Sequence, residues 1–94
     1  MTTTWTVTRT ERHSHHSIIG ASDNPDHARR QLYAVTAALI RRARADERPR
    51  YTLHIGEQLT AIIQTGDDRH GRPDHAATAE LLTCMQHTGN PFGA

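Results

Sequence analysis

The chain has 94 residues, a formal net charge of +1 and a single cysteine. This length accommodates one domain, over residues 1–94, and one cysteine excludes both an internal disulfide and a multi-cysteine zinc site. Leu, Ile, Val and Phe account for only 15 of the 94 residues, a smaller share than the roughly 20% below which chains are often disordered. Disordered chains also carry a high net charge, however, and the low net charge here favours a folded chain. We therefore expect a folded domain with a thin core, and a homodimer would bury further apolar surface.

The N-terminal segment lacks the basic and apolar pattern of a signal peptide. No apolar run approaches the roughly 18 residues that a membrane span needs. We therefore expect a cytoplasmic protein without membrane contact.

The first hairpin is predicted from alternating apolar and polar residues. Trp5 and Val7 alternate with threonines, which indicates a half-buried strand at about residues 5–12. The polar residues 12–15 then predict a turn, and residues 17–19 predict a short returning strand.

Residues 24–47 are predicted to form one long amphipathic helix. Asn24 is a favourable N-cap, and Pro25 fits the first turn because its missing N–H is not needed there. Pro49 disfavours helical geometry in the residue before it, so the helix is expected to end nearby. Apolar residues recur every three or four positions and predict a buried face, made of Ala28, Leu32, Val35, Leu39 and Ala43. Thr36 and Ile40 widen one edge of this face.

The alternating pattern returns at residues 51–55 and 59–63, which predict a second hairpin. Two signals disagree on its turn. A two-residue turn suits Gly56, whereas a three-residue loop over residues 56–58 sets the apolar residues of both strands on one face, with Leu59 among them. We expect the longer loop, because a one-residue slip would expose the buried set.

A second helix is predicted after the polar loop at residues 66–72. It opens with Pro73-Asp74, in the same way that Pro25-Asp26 opens the first, and Gly89 is expected to end it. Cys84 is expected to be buried and inert. The predicted apolar face consists of Thr78, Leu81, Leu82 and Met85.

Together these elements predict an α+β domain of order ββαββα, with a four-stranded antiparallel sheet and both helices packed on one face. Features recur between residues 5–48 and 51–89, including Trp5-Thr6-Val7 against Tyr51-Thr52-Leu53, which suggests a ββα unit used twice. The other sheet face, rich in Thr, Arg, Gln and His, is either solvated or a binding face.

Candidate binding residues lie on the polar face of the first helix, where they are expected to span roughly 120° of its surface. Such an arginine stripe could contact nucleic-acid phosphates, or it could be a solvated face balanced by Asp46 and Glu47. Few aromatic residues argue against single-strand binding by base stacking. The stripe consists of Arg29, Arg30, Arg41 and Arg44.

The eight histidines are densest at residues 13–16, where His13 and His15 would share a face if they lay on a strand. No cysteine or acidic pair completes a metal site there, so we expect neither a metal nor a cofactor. Asp67, Asp68 and His70 lie on a glycine-flanked loop and not in a rigid cleft. With no phosphate-binding loop or nucleophile elbow in the sequence, we expect no enzymatic activity.

The leading hypothesis is a small intracellular, non-enzymatic regulatory or interaction module, which acts through the arginine stripe or the open sheet face. The first alternative is a nucleic-acid-binding protein that uses the arginine face. The second is a small enzyme or ligand carrier that uses the histidine-rich loops. The sequence leaves open whether the partner is a protein or a nucleic acid.

The histidine cluster gives the first testable prediction. Because its imidazoles lack further ligands, titration calorimetry should detect no tightly bound stoichiometric zinc. One tightly bound zinc per chain, lost in both His13→Ala and His15→Ala, would contradict this expectation.

Overall fold

A computed structural model of the protein describes residues 1–88. They form one four-stranded antiparallel sheet and two helices in the order ββαββα, which confirms the predicted α+β fold. No helix in this part of the chain combines the length and the apolar character needed to cross a membrane. The predicted helix end at Gly89 lies outside the described residues. The elements are β1 (Thr3–Glu11), β2 (Ser14–Ser22), α1 (Pro25–Arg42), β3 (Arg50–Ile55), β4 (Gln58–Gln64) and α2 (His75–Thr88).

The strand order is β2-β1-β3-β4, so that the first strand of each hairpin lies in the middle of the sheet. Val7 of β1 lies opposite Leu53 of β3, and both side chains are fully buried beneath the helices. α1 packs mainly across β1 and β2, and α2 packs beside α1 and over β4. Their buried residues form a single cluster, which also contains Leu32 of α1 and Leu82 of α2.

The first hairpin is longer than the sequence predicted. β1 and β2 pair without interruption from Thr3 opposite Ser22 to Glu11 opposite Ser14. The turn therefore has two residues and not four, and Arg12 adopts a φ of 52°. Tight hairpin turns need this left-handed backbone. The predicted turn is wrong because backbone hydrogen bonds continue the ladder through polar residues that show no apolar alternation.

The second hairpin combines the two-residue turn that Gly56 favours with the strand pairing that the longer loop predicts farther from the turn. Gly56 occupies a two-residue turn at a φ of 61°, so the predicted three-residue loop is wrong. The register then shifts by one between Leu53 and His54, which leaves Thr60 as the extra residue of a β-bulge. Beyond the bulge Leu53 lies opposite Ala61, as the longer loop would have placed it.

α1 begins as predicted but ends five residues early. The Asn24 side chain accepts hydrogen bonds from the N–H groups of Asp26 and His27. At the other end, the Arg44 N–H donates to the Glu47 side chain at 2.8 Å and not to a helix carbonyl. This side-chain acceptor competes with the helix and ends it at Arg42, so that the chain can return to the sheet.

The buried face of α1 is rotated relative to the prediction. Tyr33, Thr36 and Ile40 are almost fully buried, whereas Val35 and Leu39 are only partly covered. The centre of the buried face lies at the predicted edge formed by Thr36 and Ile40, a rotation of roughly 30° about the helix axis. It arises because α1 contacts both the sheet and α2, and the sequence period alone does not report the second contact.

The apolar face of α2 is narrower than predicted. Thr78 and Leu82 are buried, but Leu81 is 47% exposed. Cys84 is also exposed, which corrects the expectation that it is buried. Because α2 packs only beside α1 and β4, one narrow strip of its surface is covered.

Gly20 of β2 gives a testable prediction about the core. A methyl group added there would overlap the indole ring of Trp5, which is buried and whose Nε1 donates to Gln31 Oε1 at 3.0 Å. Because the ring is held in place, we expect Gly20→Ala to lower the free energy of unfolding by about 1–3 kcal/mol in urea denaturation.

Gly66→Ala is the matched control, because no atom of the described chain, apart from Gly66 and its two chain neighbours, lies within 4 Å of the added methyl group. Equal losses of stability in the two variants would show that the ring does not restrict Gly20.

Candidate interaction surface

The four arginines predicted as a binding stripe do not form a continuous face. Arg29 is half-buried, and its guanidinium carbon lies 4.9 Å from the centre of the Tyr33 ring. Arg44 lies beyond the end of α1. Arg30 and Arg41 are both exposed on α1, about 16 Å apart along the helix. Their role in binding a partner stays a prediction.

A cluster of charged side chains ties the loop between α1 and β3 to neighbouring elements. Arg9 of β1 forms an ion pair with Glu47 at 3.0 Å. The backbone N–H of Arg48 donates to Glu11 at 2.8 Å, and its guanidinium Nε donates to Asp67 at 2.8 Å. Because these contacts join three segments distant in sequence, we interpret the cluster as structural support.

Contacts within the charged cluster favour the ionised form of Glu47, which fits a role of the cluster in supporting the fold. The Arg44 N–H, and then the Arg9 guanidinium, hold the pKa of Glu47 below its ordinary value, although partial burial opposes them.

Burial raises the pKa of Tyr51, with the Arg9 cation acting against it. The Tyr51 hydroxyl is buried and has no hydrogen-bond partner among residues 1–88.

A shallow cavity of about 160 Å³ lies beside this cluster and is lined by charges of both signs. Two of its carboxylates already accept hydrogen bonds from the chain, which occupies part of their binding capacity. Its lining residues are Glu11, Arg12, Arg44, Asp46 and Glu47.

The polar loop at residues 66–72 contains two aspartates and two arginines, and its carboxylates accept hydrogen bonds that hold it in place. Asp68 Oδ1 accepts from the N–H groups of Arg72 and His70, and these bonds lower the pKa of Asp68. Asp67 is paired with Arg48. Both carboxylates therefore stabilise the loop.

The histidine cluster is divided between a turn and two sheet faces. His13 lies in the hairpin turn, and His15 and His16 are neighbours on β2 whose side chains point to opposite faces. The predicted shared face of His13 and His15 is therefore not formed. Among residues 1–88, no three His, Cys, Asp or Glu side chains are grouped so that they could hold a metal ion.

The sheet face opposite the helices, here called the open face, is not covered by either helix. Its members alternate with the buried residues of each strand, so the pairing register identifies them. They are Thr4, Thr6, Thr8 and Thr10 on β1; His15, Ser17, Ile19 and Ala21 on β2; Arg50, Thr52 and His54 on β3; and Leu59, Ile62 and Gln64 on β4.

The open face has apolar margins and a hydroxyl-rich centre. Ile19 on one outer strand is 67% exposed, and Leu59 and Ile62 on the other are 50% and 54% exposed. Threonines dominate the two central strands between them. At about 4.8 Å per strand, the two apolar margins lie roughly 14 Å apart.

The charge on the open face has one sign. It contains no carboxylate, whereas Arg50 and two histidines lie on it. Several hydroxyls bond to neighbours within the face, as Thr8 does with Ser17 at 2.9 Å. The surface is therefore neutral to weakly basic, and apolar at its edges.

The exposed aliphatic residues of the open face were not identified from the sequence. Leu59 was expected to be buried, and that expectation is wrong because the two-residue turn sets Leu59 opposite His54 on the open face, before the bulge at Thr60 shifts the register. Gly56, which favours the shorter turn, was the available signal.

No protein-family model, curated protein or solved structure matches this chain. The chemistry of its own surface is therefore the basis for assigning a function.

Glu47 gives a prediction about pH. Its native pKa lies below the ordinary value of 4.5, so the unfolded chain binds the proton more readily, and the ionised group stabilises the folded state above that pH. This contribution is lost as pH falls through the lowered native pKa. We expect Glu47→Gln to lower the melting temperature at about pH 7, with the difference from wild type shrinking toward about pH 3.

Glu57→Gln is the control for this experiment, because Glu57 is exposed at the tip of the second hairpin. A difference for Glu47→Gln that does not change with pH would show that its charge does not stabilise the fold.

Proposed function

We propose that this protein is a small, non-enzymatic interaction module that binds a protein partner through the open face of its sheet. The observation that carries the proposal is the exposure, by half or more, of three large aliphatic side chains on that face. They are Ile19, Leu59 and Ile62.

Single exposed aliphatic residues are ordinary on protein surfaces. Here three of them share one face of a sheet whose other face is covered by both helices. A partner that covers them would gain about 25 cal/mol of binding free energy for each Å² of apolar surface removed from water. Strands also hold them in fixed positions, which lowers the entropy cost of binding.

The charge of the open face indicates the chemistry of the partner. Arg50 and His54 lie on a central strand between the apolar margins and His15 lies on β2, without a carboxylate on the open face to balance Arg50. A partner with an apolar centre and acidic groups near it would complement this surface, because opposite potentials favour association.

A nucleic acid fits the open face less well. The face lacks an aromatic side chain on which a base could stack, and Arg50 is its single arginine. The exposed Arg30 and Arg41 lie on α1, on the other side of the sheet, and therefore do not add positive charge to the open face.

The proposal is tested with Ile62→Glu, which places a charge in the apolar margin. Leu81→Glu is the matched control, because Leu81 is similarly exposed but lies on α2. In affinity capture and crosslinking, a protein retained by wild type and Leu81→Glu should be lost by Ile62→Glu. Melting curves should confirm that both variants are folded. Equal capture by all three proteins would refute the role of the open face.

A second arm distinguishes a nucleic-acid partner. Single-stranded and double-stranded oligonucleotides should show no measurable binding at about 50 mM salt, where phosphate contacts are strongest. Salt-dependent binding that Arg50→Ala weakens would instead identify the open face as a nucleic-acid surface. Binding that is weakened only by the double variant Arg30→Ala with Arg41→Ala would place the contact on α1.

A further inference from the structure

β2 is an edge strand without the usual protection against pairing. Ser14–Ser22 contains no proline, no Lys, Arg, Asp or Glu, and no bulge in its register with β1. Natural sheets normally protect an edge with at least one of these devices. Ile18 and Ile19, in the middle of the strand, are 39% and 67% exposed.

The outer side of β2 is also uncovered. No hydrogen bond within residues 1–88 reaches the backbone groups that point away from β1. The opposite edge differs, because the bulge at Thr60 interrupts the register of β4.

The hydrogen-bond pattern identifies the outward-facing backbone groups of β2. The Gly56 N–H donates to the Thr4 carbonyl, so the even-numbered residues of β1 direct their backbone groups toward β3. The odd-numbered residues of β1 therefore bond to the even-numbered residues of β2, because the two directions alternate along a strand. The outward groups of β2 belong to His15, Ser17, Ile19 and Ala21.

We propose that these groups pair with β2 of a second copy of the chain, antiparallel and centred on Ile18. This register sets Ser17 opposite Ile19, and His15 opposite Ala21, of the second copy. It engages every outward residue on both strands and gives about eight hydrogen bonds, because each such pair exchanges two. A shift of the centre by one residue in either direction leaves an outward residue unpaired.

The side chains are compatible with this register. Ile18 lies opposite its own copy on the helix side of the sheet, where the two partly exposed side chains cover one another. His16 lies opposite Gly20 of the second copy, so that a large residue faces a small one. β2 carries no formal charge at neutral pH with its histidines neutral, so the two strands do not repel one another.

The helices do not obstruct the pairing. Residues that oppose one another across an antiparallel pair point to the same face, so both copies keep their helices on one side. α1 contacts β1 most and the strands on both sides of it less, so its axis lies near β1, which places the two α1 axes roughly three strand spacings, or about 14 Å, apart. Packed helices need only about 10 Å. The two open faces become one continuous surface, and Ile19 of each copy approaches Ser17 of the other.

The experiment measures self-association by sedimentation velocity from roughly 1 µM to 1 mM. Ser17→Pro removes an N–H that the pairing with β1 does not use, and proline is tolerated at such edge positions. Ser17→Ala is its matched control, because it also removes the hydroxyl contact with Thr8 but keeps the N–H. We expect a wild-type dimer whose dissociation constant rises about tenfold or more in Ser17→Pro and less than about threefold in Ser17→Ala.

A second pair of variants does not depend on proline. Ile18→Lys places two like charges opposite one another in the dimer and should dissociate it, whereas Ile62→Lys on β4 should not. Amide exchange of Ser17 and Ile19 should slow as wild-type concentration rises.

A wild-type protein that is monomeric at the highest concentration would overturn the proposal, as would a dimer that both Ser17→Pro and Ile18→Lys leave intact. Dissociation by Ile62→Lys but not by Ile18→Lys would place the dimer contact on the open face and also overturn it. The proposal does not depend on the partner of the open face, because the Ile62→Glu capture experiment leaves β2 unchanged.

Discussion

The packing of α1 against the centre of the sheet is the interaction on which the other features depend. Val7, Leu32 and Leu53 are each fully buried in the cluster between them, and few other large apolar residues are available. A chain with so thin a core cannot cover both faces of a four-stranded sheet. Both helices therefore lie on one side, and the remaining exposed aliphatic residues are concentrated on the strands of the other side and of the β2 edge. The open face follows directly from how little apolar material the sequence contains.

The register of the two central strands is symmetric about one residue pair. Val7 lies opposite Leu53. A rotation by 180° about an axis through this pair, perpendicular to the sheet, places the pair of Trp5 and Ile55 on the pair of Tyr51 and Arg9. The same operation aligns the first strand of each hairpin as the sequence comparison does. Two ββα units placed side by side would produce this arrangement, and the internal repeat itself stays a prediction.

Features set by neighbouring residues could be predicted from the sequence. The alternation around Trp5 and the Asn24 cap depend on local geometry, and both were identified correctly. The end of α1 was not, because it depends on a side chain, Glu47, that competes for a backbone N–H. The burial of Tyr33 and the exposure of Cys84 depend on where the second helix packs, which the helical period does not report.

The candidate sites also divide into features that neighbouring residues determine and features that depend on packing between distant elements. Helical spacing placed four arginines on one face, but it could not show that Arg29 packs on Tyr33 or that Arg44 follows the helix end. The open face was anticipated as a polar sheet surface. Its apolar margin at Leu59 was missed because the two-residue turn, followed by a bulge, places that side chain on the opposite face from Ala61 and Ile63.

The bulge at Thr60 also limits how the chain can assemble. A sheet with two equally open edges can add copies at both ends and grow into a filament. Here one edge is regular for nine residues, whereas the other is locally bent and leaves an unpaired residue. With the β2 pairing proposed above, growth by strand addition would therefore have one available end per molecule and would stop once that end is used. An irregularity of one residue thus separates a finite assembly from an open-ended polymer.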